Sequence, residues 1–168
     1  MTQAGALAVY PNMAPLRIVA AFCMLAASPV AALAQREKLP PDDYDFVMKK
    51  WPDAKISNTG IRYVVKKEGA GPIIAPGDVV MVNYTGMLLN GKVFDESHDP
   101  KKPFTFRVGR GEVIVGWDQI FQIMRPGDKW LIIVPPELGY GRRGYAPGIP
   151  GDATLVFDVE VVGVKRES

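Results

Sequence analysis

The chain has 168 residues, with 20 Lys+Arg against 18 Asp+Glu and a formal net charge of +2. That length suits one domain with a short appendage, and the charge balance argues against a nucleic-acid groove, which needs a concentrated basic face. Cys23 is the sole cysteine and His98 the sole histidine, so an internal disulfide is excluded, His clusters are left out and a zinc site is not expected.

Residues 1–34 hold no acidic residue and one basic residue, Arg17. Ile18 to Leu25 is apolar throughout, and small residues follow to Ala32-Leu33-Ala34. This is the pattern of a secretory leader cleaved before Gln35. The run is too short and too alanine-rich for a membrane span, so no stable insertion is expected after cleavage. Met13 offers an alternative start that would shorten the leader. Cys23 follows bulky Phe22, a poor context for a lipid anchor. With no twin arginine, general secretion into a periplasm or the exterior is expected. Cleavage would leave a mature chain without cysteine, which suits an oxidising compartment.

Residues 35–60 read as an extension. Gln35 to Pro41 is charged and proline-containing, the composition of a flexible arm. Asp42 is placed to cap a short helix running to Lys50 and stopped by Pro52. Its apolar face (Tyr44, Val47, Met48, Trp51) would have to lie on the main domain or on a partner. The segment is far too short for a coiled-coil dimerisation arm, and a monomer is expected.

Residues 61–168 form the predicted domain. The 17 glycines and 15 prolines of the chain mark a turn-rich, largely β protein. Ile61 to Lys66 alternates as a strand. Turns follow at Gly69-Ala70-Gly71-Pro72 and Pro76-Gly77-Asp78, then a strand from Val79 to Tyr84. Asn90-Gly91 is a strong hairpin signal, returning through Lys92-Val93-Phe94-Asp95. Residues 96–102 are a polar bulge or flap. Phe104-Thr105-Phe106 resumes a strand with both rings on one face. Beyond Gly116, Trp117, Ile120, Phe121, Ile123 and Met124 place one apolar side on a short helix that Arg125-Pro126-Gly127 ends. Such a helix needs a sheet to pack on. Trp130 to Val134 is a buried strand. Pro135 to Asp152 is a long loop rich in Gly, Pro and Tyr, and loops of that length in compact domains are usually functional or mobile. Ala153 to Val164 closes the sheet, with Leu155, Phe157, Val159 and Val161 on one face and Asp158 and Glu160 on the other. One antiparallel sheet against one short helix is an α+β half-roll.

Six words in order carry a resemblance: Val82-Asn83-Tyr84-Thr85-Gly86, Gly91-Lys92-Val93-Phe94-Asp95, Lys102-Pro103-Phe104-Thr105-Phe106, Glu112-Val113-Ile114-Val115-Gly116-Trp117, Tyr140-Gly141, and the closing run from Ala153 to Glu160. Together they resemble the FKBP-type peptidyl-prolyl cis-trans isomerases over about residues 61–164. The resemblance implies a bent antiparallel sheet wrapped over the short helix with a pocket between them. It implies pocket walls from Tyr84, Phe94, Phe104, Phe106, Val113, Ile114, Tyr140 and Phe157, with Trp117 as floor. Asp95 and Tyr140 would be the polar groups at the rim, and the Ile114 backbone N–H a donor to substrate. Tyr145 and Ile149 would contribute from the distal loop. Flexible or unfolded proline-containing chains are the implied substrates, and tacrolimus and rapamycin plausible inhibitors.

Those residue types suit the reaction. Rotation about an X-Pro bond must break amide resonance, with a barrier of ~18–20 kcal/mol. No bond is made to the enzyme, so no nucleophile, metal or cofactor is required. The planar imide is dipolar and the twisted transition state less so, so a dry apolar pocket disfavours the planar form. Taken singly, Tyr84, Phe94, Phe104 and Phe157 would be ordinary core aromatics, and Asp95 a turn or solvated carboxylate. Tyr140, between two glycines in a long loop, is harder to explain by packing alone. A non-catalytic module that holds proline in the same pocket is the rival reading.

Three departures from the family pattern stand out. Pro100 occupies a position where many members have an arginine that pairs with the aspartate, so Asp95 needs Lys101, Lys102 or the Tyr84 hydroxyl instead. Tyr145 stands where a histidine is common, with Arg142-Arg143 adding charge. Gly148 replaces a common apolar residue while Ile149 keeps one.

Overall fold

The computed structural model describes residues 37–166. The expected leader, with Cys23 and the Ala34 cleavage point, lies outside the described residues, as do Gln35 and Arg36.

Seven antiparallel strands form one sheet: β1 (Lys55–Ile56), β2 (Arg62–Lys67), β3 (Val79–Leu88), β4 (Val93–Ser97), β5 (Phe104–Arg107), β6 (Lys129–Val134) and β7 (Leu155–Lys165). Their order is β1-β2-β6-β7-β3-β4. The first half of β3 pairs with β5 and the second half with β4, both along the edge opposite β7. Helix α1 (Pro41–Lys50) precedes the sheet, and α2 (Val115–Ile120) continues into a 3-10 turn over Phe121–Ile123. The expected α+β sheet over a short helix is present, with a second helix on the sheet's other face.

Alternation along β6 divides the two faces. Trp130, Ile132 and Val134 join the main core with Trp117, Ile120 and Phe121 of the α2 region. Leu131 and Ile133 face the other way, into a smaller cluster with Val156, Leu39 and Val47. A strand covered on both faces reads as a continuous apolar run, which is why Trp130 to Val134 shows no alternation in the sequence. The tight seat of α2 on β6 depends on Gly116, where a Cβ would come within 2.6 Å of Val134 Cγ1.

The sheet bends at irregular pairings. Opposite Met81 and Val82, β7 carries the extra residue Val162 between Gly163 and Val161, a bulge that increases local twist. A second shift lies between Gly86 and Met87 against β4.

Several sequence expectations are corrected. The stretch 37–40 is docked, not a free arm: Leu39 is buried and Arg62 pairs with Glu37. Pro40, not Asp42, occupies the N-cap of α1, and Asp42 and Asp43 lie in the first turn, where carboxylates complement the helix dipole. Strand β3 runs four residues past Tyr84 because β4 and β7 supply backbone partners on both edges. Ile123 is exposed (42%), whereas Ile120, Phe121 and Met124 are buried, since the 3-10 turn changes the phase that an α-helical period would give. The first two residues of the expected 96–102 flap belong to β4. The long loop also has internal order, with 3-10 turns at Pro136–Leu138 and Gly141–Arg143 and a bridge between Tyr145 and Ile149.

Candidate functional site

Register on three strands brings the aromatic residues together. Phe106 lies opposite Val80 and Phe104 opposite Val82, while Gly86 faces Asp95 on one side and Phe157 on the other. Gly86 has to be glycine for this arrangement, because a Cβ there would sit 2.8 Å from the Phe94 ring and 3.0 Å from Phe157. The two rings cross over the bare backbone edge-to-face, with centroids 5.7 Å apart.

Trp117, in the first turn of α2, is the hub of the cluster. Its ring lies 5.0 Å from Tyr84, 5.2 Å from Phe157, 5.3 Å from Phe121 and 5.6 Å from Phe106. Only 3% of Trp117 is exposed. It is the bed beneath the rings. Its indole nitrogen is buried, with no hydrogen-bond partner among the described residues.

Above this bed lies a cavity of about 310 Å³ between β4 and the long loop. Phe94 and Asp95 form one wall. Tyr140, Tyr145 and Ile149 form the other, with Pro147 and Gly148 at the loop tip. The Tyr140 and Tyr145 rings are 5.3 Å apart, and reciprocal backbone bonds of 2.8 Å between Tyr145 and Ile149 close the tip around a cis Ala146–Pro147 peptide. Five residues expected at the site therefore line this cavity. Tyr84, Phe106, Trp117 and Phe157 do not line it; they lie buried in the cluster on which Phe94, Tyr140, Val113 and Ile114 pack. Phe104, more exposed, meets Tyr84 edge-on with ring centroids 5.6 Å apart. Pro147 was missed by sequence reasoning; its only signal was its place in the loop tip.

A larger cavity, of about 390 Å³, lies near the far edge of the sheet, where Tyr63 stacks on Trp130. It is lined by Lys55, Glu68, Arg125 and Asp128, so its charged walls suit water better than an apolar ring. Volume does not single out the site, since a cavity of about 480 Å³ along β2, lined by Asp53, Lys55, Lys66, Lys67 and Glu68, is larger still. Chemistry favours the one at Phe94 and Tyr140.

Tyr84 connects the buried rings to the polar rim. Its hydroxyl donates to Asp95 Oδ2 at 2.5 Å, which answers the partner question that Pro100 raises. Burial raises the Tyr84 pKa well above the ordinary tyrosine value, and the bond to Asp95 and its negative charge add to the shift. Tyr140 is raised too, by burial first and then by Asp95 and Tyr145. For a phenol whose pKa rises on folding, the stabilisation is complete below the unfolded value of about 10 and is lost as pH climbs through the raised folded value. In an absorbance titration of phenolate, wild type and Tyr84→Phe should therefore gain equal signal up to about pH 10. A deficit in the variant at that pH would contradict the buried Tyr84–Asp95 pair.

The segment entering α2 is pinned by Asp118, whose carboxylate accepts from Gly109 N (2.9 Å) and Gly111 N (2.8 Å). Ile114 caps the helix with its carbonyl, which accepts from Trp117 N and Asp118 N. Among the described residues no acceptor bonds to the Ile114 N–H.

Comparison with known proteins agrees with this geometry. Residues 71–162 match the family described as FKBP-type peptidyl-prolyl cis-trans isomerase. A probable FKBP-type peptidyl-prolyl cis-trans isomerase of Haemophilus influenzae is 38% identical over 147 residues, 86% of this chain and 60% of the relative. Peptidyl-prolyl cis-trans isomerase FKBP2 of Mus musculus is 50% identical over 92 residues, 55% of this chain and 66% of the relative. The crystal structure of FkpA from Escherichia coli superposes with a TM-score of 0.65 at 38% identity, covering 81% of this chain and 60% of that one. The chain spans 60% and 66% of the length of these two curated relatives. With the matched region exceeding half of its length and the same sheet-over-helix architecture, the chain belongs to the FKBP-type peptidyl-prolyl cis-trans isomerase family.

Proposed function

We propose that the chain accelerates cis-trans rotation of X-Pro bonds in exported, folding proteins, with the cavity between β4 and the long loop as the prolyl site. The observation that carries this reading is the convergence of Phe94, Tyr140 and Ile149 on one apolar hollow, with the Tyr84–Asp95 pair at its rim.

The chemistry follows from that shape. A pyrrolidine ring held between Phe94 and Tyr140 takes its imide out of water, where the planar, more dipolar form loses more solvation than the twisted one. Tyr140 presents a hydroxyl near Asp95, and both raised phenols stay neutral donors at neutral pH. The Ile114 N–H is the donor assigned to the substrate carbonyl. Every ~1.4 kcal/mol taken from the barrier is about tenfold in rate, so the site needs dryness and fit more than acid–base groups.

The leader reading places the mature protein in a periplasm or outside the cell, acting as a monomer on flexible proline-containing chains. Macrolides such as tacrolimus and rapamycin would occupy the same hollow. A protease-coupled assay on a short X-Pro peptide tests the reading: saturable acceleration abolished by tacrolimus is expected. Binding of the peptide without acceleration would leave a non-catalytic module, and the enzyme reading would fall.

A further inference from the structure

The N-terminal extension reaches both walls of the cavity from behind. Lys38 pairs with Glu137 at the outgoing end of the long loop. Thr154, buried at the returning end, donates its hydroxyl to Asp43 Oδ2 on α1. On the opposite wall, Leu89 of the β3–β4 hairpin packs into the cluster that α1 forms through Val47. Asp43, Leu89, Asn90, Asp152 and Thr154 line one groove. Asp43 therefore stands at the seam where hairpin and loop meet.

Backbone bonds and one close contact link this seam to the ring at the loop's roof. Asp152 N–H donates to Gly141 O at 2.9 Å, and Gly144 N–H to Tyr140 O at 3.2 Å. Leu155, the residue after Thr154, packs under Gly139, with its Cδ1 3.1 Å from where a Cβ would stand. The returning limb is thus tied to the limb that holds Tyr140 at two heights. The two extension contacts differ in weight. Lys38 and Glu137 are both solvent-exposed, and such pairs are screened and contribute little. The Asp43–Thr154 bond is charge-assisted and protected, and losing its acceptor would strand a buried hydroxyl.

We propose that Asp43 is a positioning residue for the prolyl site: through Thr154 it sets the separation between the hairpin wall with Phe94 and the loop wall with Tyr140. The extension is then part of the working site although none of its residues touches the cavity. This rests on the reading of that cavity as the substrate site.

The test compares Asp43→Ala, Thr154→Val, their combination, and Asp43→Asn, whose side-chain oxygen still accepts. Two readouts are taken: KM and kcat on a proline peptide, and amide hydrogen exchange at Gly144 and Asp152 against Val161 in β7. Asp43→Ala and Thr154→Val should each raise KM about three- to tenfold with kcat within about twofold. Exchange should quicken at the two loop amides and not at Val161. The combination should match either single variant, as coupled partners do, and Asp43→Asn should stay near wild type. Unchanged KM with unchanged loop exchange overturns the proposal, as does quickening spread evenly over the sheet. If the wild type shows no acceleration, the functional reading fails on its own, and loop exchange still decides whether Asp43 braces the loop.

Discussion

Replacing Phe94 with alanine should lower kcat/KM on an X-Pro peptide by about tenfold to a hundredfold, a loss of roughly 1.4 to 2.8 kcal/mol of transition-state stabilisation. Phe94 forms the hairpin wall of the hollow and is the one ring that both lines it and leans edge-on against the buried Phe157. Without it the imide meets water, and the solvation that the pocket withholds from the planar form returns. The fold should tolerate the change. Phe94 is only half-buried, and its edge-to-face contact is worth about 0.5–1.5 kcal/mol beyond simple burial. Phe94→Leu should fall between the two, since it keeps an apolar wall but loses the flat ring face. Peptide kinetics beside far-UV circular dichroism checks this. A Phe94→Ala protein with wild-type kcat/KM would move the site elsewhere.

The second large effect falls on stability. Trp117→Ala should cost about 3–5 kcal/mol, the range for removing a large aromatic from a packed core. The indole is surrounded by Tyr84, Phe106, Phe121 and Phe157, with Phe104 at 6.1 Å, so the hole could not close without moving most of the cluster. Domains of this size hold about 5–15 kcal/mol in total, so much of the margin would go. Trp117→Phe should be far milder. The indole N–H has no partner among the described residues to lose, so the difference in volume dominates. Urea unfolding measures both, and a Trp117→Ala midpoint close to that of wild type would show that the ring is peripheral.

What could be read from the sequence follows physical locality. The hairpin at Asn90-Gly91, the paired rings Phe104 and Phe106, and the strand from Trp130 are short-range patterns, and each stands where turn chemistry, alternation or a continuous apolar run puts it. The helix around Trp117 was legible as an apolar face, but its switch to a 3-10 turn was not. That switch depends on how the turn fits the sheet, and it left Ile123 outside. For α1 the sequence left the main domain and a partner as the two options and could not name the surface. Val47 needs a surface, and Leu131 and Ile133 supply one only once β6 is known to be covered on both faces. At the site, rings named in the motif words lie in contact with one another. The division between rings that line the cavity and rings that bed it was not legible, because it depends on the long loop's path. The Tyr84–Asp95 bond was one of three options open to Asp95, and register across β3 and β4 selects it.

The central claim is that a prolyl ring enters the hollow between Phe94 and Tyr140. Intermolecular nuclear Overhauser contacts between a proline peptide in cis-trans exchange and the protein test it most directly. The prolyl ring protons should contact Phe94, Tyr140 and Ile149, with exchange between the isomers quickened in proportion to protein concentration. Contacts instead to Tyr63 and Trp130 in the larger cavity would contradict it.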